Sequence, residues 1–306
     1  MNWQLLPQFA VTGILASGPI ALMGLGLVLI NKSSSIFNFA QGQLLLLGAL
    51  VTWWFSVELG LPLWLAILLA LLLSTLFGFL IERIALRPMT GQPLLSIILM
   101  TLGLNQVLQG LALLIFGPAQ RNFPQLFPAG NPYKITTPFV SNGNNIVVIL
   151  KRDLVGSFVV AVIGVVVIGA LFQFTRIGLA MRATSEDHEL AQSIGLRIRR
   201  VFGLSWALAS VVATIGGIML ATSSGLDLSL SIVVLTAFPV ILLGGLDSIP
   251  GAIIGGLIIG LSVGLVSASK VQLIRNSTEI VPYVVLLIML LIRPEGLFGQ
   301  ERIERI

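Results

Sequence analysis

The stretch LPLWLAILLALLLSTLFGFLI, residues 61–81, is apolar on every side. An amphipathic helix would show polar residues every third or fourth place, and a strand of a transmembrane barrel would alternate. This run does neither. At ~20 residues, a helix of that composition matches the hydrocarbon thickness of a bilayer. The same pattern recurs along the chain, at 9–30, 34–57, 62–81, 94–117, 154–174, 201–220, 229–246, 249–269 and 280–292. The 306 residues are 56% hydrophobic and 9% charged, against roughly 25% charged for a soluble domain. The mean hydropathy is +1.04. The sequence predicts an all-α polytopic membrane protein, one transmembrane domain over 1–306, with about nine spans (eight to ten). Segment 280–292 is short and 229–246 holds Pro239, so broken or re-entrant helices are expected near 38–43 and 239–251.

Composition excludes several classes. There is no cysteine, hence no disulfide or thiol chemistry. A single histidine, His188, argues against a histidine-rich metal site, and no acids, cysteines or histidines converge within the spans as an active site requires. No metal site and no catalytic residue are expected. The net charge of +5 comes from residues beside spans, so nucleic acid is not an expected partner. The first charge is Lys32, whereas a cleavable signal would begin with a positive segment, so 9–30 is expected to be a retained span.

Lys and Arg set the orientation. With the 175–200 loop in the cytoplasm, Lys32, Arg83, Arg87, Arg176, Arg182, Arg197, Arg199, Arg200, Arg293, Arg302 and Arg305 fall inside, and the remaining six of the seventeen fall outside. That obeys the positive-inside rule and predicts a periplasmic amino terminus and a cytoplasmic carboxyl terminus. Trp3, Trp53, Trp54 and Trp64 then fall near the outer interface.

Within the nine segments there is no Asp, Glu, Lys, Arg or His. Ion-driven carriers place such groups at mid-membrane, so energy is expected from outside this domain and the cargo to be neutral or zwitterionic. The polar exceptions are the candidates for a path. Asn38, Gln41 and Gln43 flank Gly42, which permits a helix break or close backbone approach. An unpaired amide in lipid costs a few kcal/mol. Asn105, Gln106 and Gln109 form a second group, and Thr236 with Ser248 beside Gly244-Gly245 a third. Hydrogen bonds between helices are the alternative use of such residues. Gly251, Gly255 and Gly256 suit tight helix packing, and Asp247 is placed to cap the helix that follows it.

Two loops stand out. The 118–153 segment, predicted periplasmic, holds five prolines and several asparagines, which predicts turns and irregular structure serving either as a connecting loop or as a docking surface for an extracytoplasmic partner. The 175–200 loop, TRIGLAMRATSEDHELAQSIGLRIRR, is expected in the cytoplasm, with Thr184, Ser185, Glu186 and Asp187 starting a short helix and Gly195 stopping it. Its basic flanks would hold it at the lipid surface. There is also an internal echo. GLVLINKSSSIFNFA, residues 26–40, is similar to GIMLATSSGLDLSLS, residues 217–231, on opposite sides of the predicted topology. Inverted repeats or chance similarity between apolar segments would each account for it.

Glu189-Leu190-Ala191 followed by Gly195 resembles the E-A-A, three residues, G element of bacterial ABC importer permeases. FNFAQGQLLLLG, residues 37–48, resembles the N-F-A-H-G-E signature of LivH-type branched-chain amino-acid permeases. LLGGLDSIPGA, residues 242–252, resembles that family's L-G-G-x-G-S-I-P-G-A, and RPEGLFG, residues 293–299, its P-x-G-L-x-G. Within the family the chain looks most like neutral amino-acid permeases of the Nat type.

The resemblance implies a multi-pass permease subunit of the bacterial inner membrane that imports neutral or branched-chain amino acids. It implies a LivM-like second permease, two ATP-binding subunits and a periplasmic substrate-binding protein as partners, in a lipid bilayer. ATP and Mg would sit on the ATPase subunits, since this chain has no phosphate-binding loop of its own. By this resemblance Asn38, Gln41, Gly42, Gln43, Gly244, Gly245 and Ser248 belong to the substrate path. Thr184, Ser185, Glu186, Asp187, Glu189, Ala191 and Gly195 belong to the helix that couples to the ATPase. Gln41 and Gln43 replace the family's His and Glu, and Asp247 replaces a small residue. The neutral amides leave a urea or amide importer of the same family open. A stand-alone secondary carrier fits the ion-free spans less well.

Overall fold

A computed structural model describes residues 5–34, 36–89, 91–127, 130–141, 144–186, 188–193 and 195–299. Among the described residues, six helices have the length and apolarity to cross a membrane: α1 (Leu6–Ser34), α3 (Leu63–Ile81, continued by further helical turns to Met89), α4 (Leu94–Phe116), α5 (Arg152–Phe174), α8 (Ile198–Ser224) and α10 (Ile249–Ser267). The other three predicted segments form shorter helices. These are α2 (Gln41–Trp53, extended by a π turn over Trp54–Glu58), α9 (Val234–Gly244, entered through a 3-10 turn over Leu228–Val233) and α12 (Val281–Ile292). Between them lie α6 (Arg176–Glu186), α7 (His188–Ser193) and α11 (Gln272–Asn276).

The bundle is built on α1 and α8, its two most enclosed spans. They run antiparallel, with Gly216 of α8 against Pro19 and Met23, and Ala209 beside Gly26. α10 lies antiparallel along α1, and glycines set the spacing. A methyl group at Gly256 would strike Ala21, at Gly260 would strike Gly13 and Ser17, and at Gly264 would strike Phe9. α3 lies antiparallel along α8 in the same manner, with Gly78 against the Trp206–Ser210 turn. α2 packs on α8, with Gly48 on Thr214 and Leu45 on Gly217, while α9 packs on α1, with Gly24 on Ile241.

The pairs α1/α9/α10 and α8/α2/α3 therefore repeat one arrangement in opposite directions. Each long helix ends in a serine, gives way to an irregular or 3-10 segment, and is followed by a short helix turning back. The echo between residues 26–40 and 217–231 falls on the matching helix end and break in both halves. Inverted structural repetition fits that placement.

Three expectations need correction. The 118–153 segment is not irregular throughout: β1 (Tyr133–Ser141) and β2 (Asn144–Leu150) pair antiparallel. The register shifts between Thr136 and Val140, an interval containing Pro138, which has no N–H to give the ladder. Gln8 of α1 closes on this hairpin through both amide atoms at Ile149 (2.6 Å each). The nine apolar segments remain free of ionisable residues, and the helices outrun them: Lys32 lies in the last turn of α1, and Glu82, Arg83 and Arg87 prolong α3. The other two corrections concern the 184–195 helix and the cap of α10 and are given below.

Candidate functional site

The break between α1 and α2 buries Ile36, Asn38 and Ala40 and leaves Phe37 and Phe39 partly exposed. Asn38 and Gln41 are 0% exposed and Gln43 is 2% exposed. Asn38 Oδ1 accepts from the Ala40 N–H at 3.0 Å, and its Nδ2 donates to Gln41 Oε1 at 3.0 Å. Gln41 Nε2 donates to the Ala209 carbonyl of α8 at 3.1 Å. Thr101 of α4 donates to the Phe37 carbonyl at 3.3 Å. The two amides thus satisfy groups that the break leaves open and tie it to the opposite half of the molecule. Gln43 differs, for its Oε1 is buried and has no hydrogen-bond partner among the described residues.

Gly42 explains itself by contact. A methyl group there would run into the Ser231 carbonyl and Val234, at the start of α9. The first turn of α2 therefore sits directly on the turn that opens α9, and the rings of Phe39 and Phe238 meet at 5.2 Å.

Gly244, Gly245 and Ser248 lie at the far end of α9, apart from the Asn38–Gln43 cluster. Gly245 has φ +101°, a conformation that favours glycine. Ser248, not Asp247, caps α10, its Oγ accepting from the Gly251 N–H at 2.9 Å. Asp247 instead faces α1: Oδ1 accepts from Asn31 Nδ2 at 3.0 Å, and its backbone carbonyl accepts from Lys32 Nζ at 2.9 Å. The sequence pattern could not separate these roles, because both residues are good N-cap types and only the chain's path past α1 decides between them. The RPEGLFG segment closes over the same junction. Leu297 N–H donates to the Leu243 carbonyl at 2.8 Å and Phe298 N–H to the Gly244 carbonyl at 3.1 Å. Two of the quoted motifs are thereby one structural unit.

The predicted helix over 184–195 starts earlier, with described helical residues over Arg176–Glu186 and His188–Ser193. Thr175 opens α6, its Oγ1 accepting from the Gly178 N–H at 3.1 Å. Thr184 lies inside α6, buried, donating back to the Ala180 carbonyl at 2.8 Å. The amphipathic spacing of Gly178, Met181 and Thr184 carries α6 through the position where a start was expected. Ser185 and the exposed Glu186 end α6, while Asp187 lies outside the described residues. Glu189 and Ala191 are on α7, Ala191 buried. Gly195 does stop the element, with φ +89° and its N–H on the Gln192 carbonyl at 2.9 Å.

Several linking residues escaped sequence reading. Phe172 of α5 lies under both Lys32 (5.1 Å) and Arg182 (5.6 Å), and Arg182 also donates to the Phe172 carbonyl. This joins α6 to the end of α1 and, through Lys32, to the Asp247 loop. Glu82 is buried and pairs with Arg87 at 3.5 Å. At the opposite end of the bundle Arg121 covers Trp53 at 4.5 Å and exchanges backbone hydrogen bonds with Leu226 at 2.8 and 3.1 Å. A lone cation beside an aromatic-rich span end was the available signal for Arg121. None existed for Phe172, whose partners are remote in sequence.

Of the second polar group, Asn105 is half-buried, while Gln106 and Gln109 are exposed on α4. They are not brought to either of the other groups.

Comparison with known proteins gives a full-length relationship. Residues 9–292 match the family model described as branched-chain amino acid transport system / permease component. The high-affinity branched-chain amino acid transport system permease protein LivH of Salmonella typhimurium is 26% identical over 98% of this chain and 97% of its own length. The corresponding permease protein BraD of Pseudomonas aeruginosa is 25% identical, with the same coverage of both chains. A solved structure, PsaBC from Streptococcus pneumoniae in complex with Fab, aligns at a TM-score of 0.46 and 16% identity, covering 94% of this chain and 92% of that one.

Proposed function

Because the chain belongs to the family of permease components of branched-chain amino acid transport systems, we propose that it is a permease subunit of an ATP-driven importer of neutral and branched-chain amino acids. The observation that carries the reading is the family match over residues 9–292, which spans both inverted halves and both helix breaks. A second permease, two ATP-binding subunits and a periplasmic binding protein complete the machine, with the amino terminus of this chain outside and its carboxyl terminus inside. ATP and Mg are handled by the ATPase subunits.

Several features of the fold support this reading. α2 and α9 are short helices that begin against each other, where helix N-termini favour a carboxylate and buried amides suit a zwitterion. Asn38, Gln41, Gly42 and Gln43 shape the break between α1 and α2, and Gly244, Gly245 and Ser248 shape the junction between α9 and α10. Movement at the 184–195 segment reaches both through Arg182, Phe172, Lys32 and Asp247. Such rigid connections suit alternating access, in which the two breaks shift against one another.

The test is uptake in cells lacking the chain. Leucine and alanine uptake should fall and be restored by the gene only when its ATPase subunits are present. Restored urea uptake without amino-acid uptake would instead favour the amide importer, and restoration without any ATPase would favour a secondary carrier.

A further inference from the structure

We propose that the face of α4 bearing Gly103, Gln106 and Gly110 is the surface against which the second permease subunit packs. The inference rests on the reading of this chain as one of two permeases.

α4 holds to its own chain by one stripe. Thr101, Leu108 and Ala112 are buried, and their spacing puts them on a single side of the helix. Gly103, Gln106 and Gly110, at i, i+3 and i+7, fall on the opposite side, and all three are exposed. Leu99 continues the same face. A methyl group built at Gly103 or Gly110 meets nothing within 4 Å. The chain's own packing therefore asks for neither glycine, although glycine weakens a helix relative to alanine.

The amides point the same way. Gln106 lies next to the midpoint of a helix of spanning length, and Gln109 is one turn further on. Both side chains are exposed and make no hydrogen bond among the described residues, unlike Asn38 and Gln41. Lipid tails at that depth offer no donor or acceptor. Two glycine notches flanking an amide suit another helix, which approaches closely at the notches and pairs with the amide across the seam. Only a membrane-spanning subunit reaches the midpoint of a spanning helix, which leaves out the binding protein and the ATPases. The occupant is a helix of the second permease carrying small residues and a hydroxyl or amide at the same depth.

The experiment uses the intact importer in native membranes, with this chain tagged and a benzophenone amino acid placed at Leu99. Irradiation should give an adduct with a second permease, identified by mass spectrometry, while the same probe at exposed Val166 of α5 gives none. Gly110→Leu should lower recovery of the second permease by about tenfold or more, with the thermal unfolding of the purified chain itself unchanged. A wild-type chain that brings down a second permease, but whose Leu99 probe reaches only lipid, would overturn the assignment of this face and leave the importer reading intact. An adduct between two copies of this chain would overturn the occupant. A wild-type chain that brings down no second permease would overturn both.

Discussion

Gln41 and Gln43 stand two residues apart on α2, yet their amides live differently. Gln41 donates to Ala209 and accepts from Asn38, so Gln41→Leu strands two buried groups at once. Each such group costs about 1–3 kcal/mol, and the variant should unfold at a clearly lower temperature in detergent. Gln43 Oε1 has no partner to lose. Gln43→Leu should keep the wild-type unfolding temperature, and, if the proposed path passes this unpaired amide, transport should fall. Uptake at the wild-type rate would remove Gln43 from the path. The sequence marked both residues as anomalies in an apolar run. It could not distinguish them, since the deciding atom is a backbone carbonyl on a helix 168 positions away.

At the scale of elements, α9 bears on both the α1–α2 break and the α9–α10 junction. Its opening turn bears on Gly42 and its last residue hands over to Gly245. Gly42→Val forces side-chain atoms into the Ser231 carbonyl and should cost about 1–3 kcal/mol or more, read as lost thermal stability and lower yield. Removing residues 293–306 uncovers the Leu243 and Gly244 carbonyls and should destabilise the α9–α10 junction, visible as faster proteolysis near Gly245. The spans were legible because apolar runs of membrane length have few other uses. The hairpin was not, because five prolines masked alternating segments around Asn142-Gly143, a dipeptide common in hairpin turns. Nor was the start of α6: Thr175 and the Thr184–Asp187 cluster are equally good caps on paper, and burial of Met181 and Thr184 decides between them.

For the whole molecule, the inverted halves make the two breaks one structure, with α2 and α9 opposed between α1 and α8. On the proposed reading, the link through Arg182, Phe172, Lys32 and Asp247 is where a push from an ATPase would enter. Glu186 is exposed at the end of α6, and Glu186→Arg should leave ATPase turnover in place while uptake per ATP falls. The family assignment was legible from three short motifs, and the structure adds that two of them, 242–252 and 293–299, are in contact. The most direct test of the central claim is uptake of labelled leucine by proteoliposomes holding the purified complex. Leucine should accumulate only with ATP and hydrolysis-competent ATPase subunits. Leucine uptake that continues with inactive or absent ATPase subunits would contradict the account.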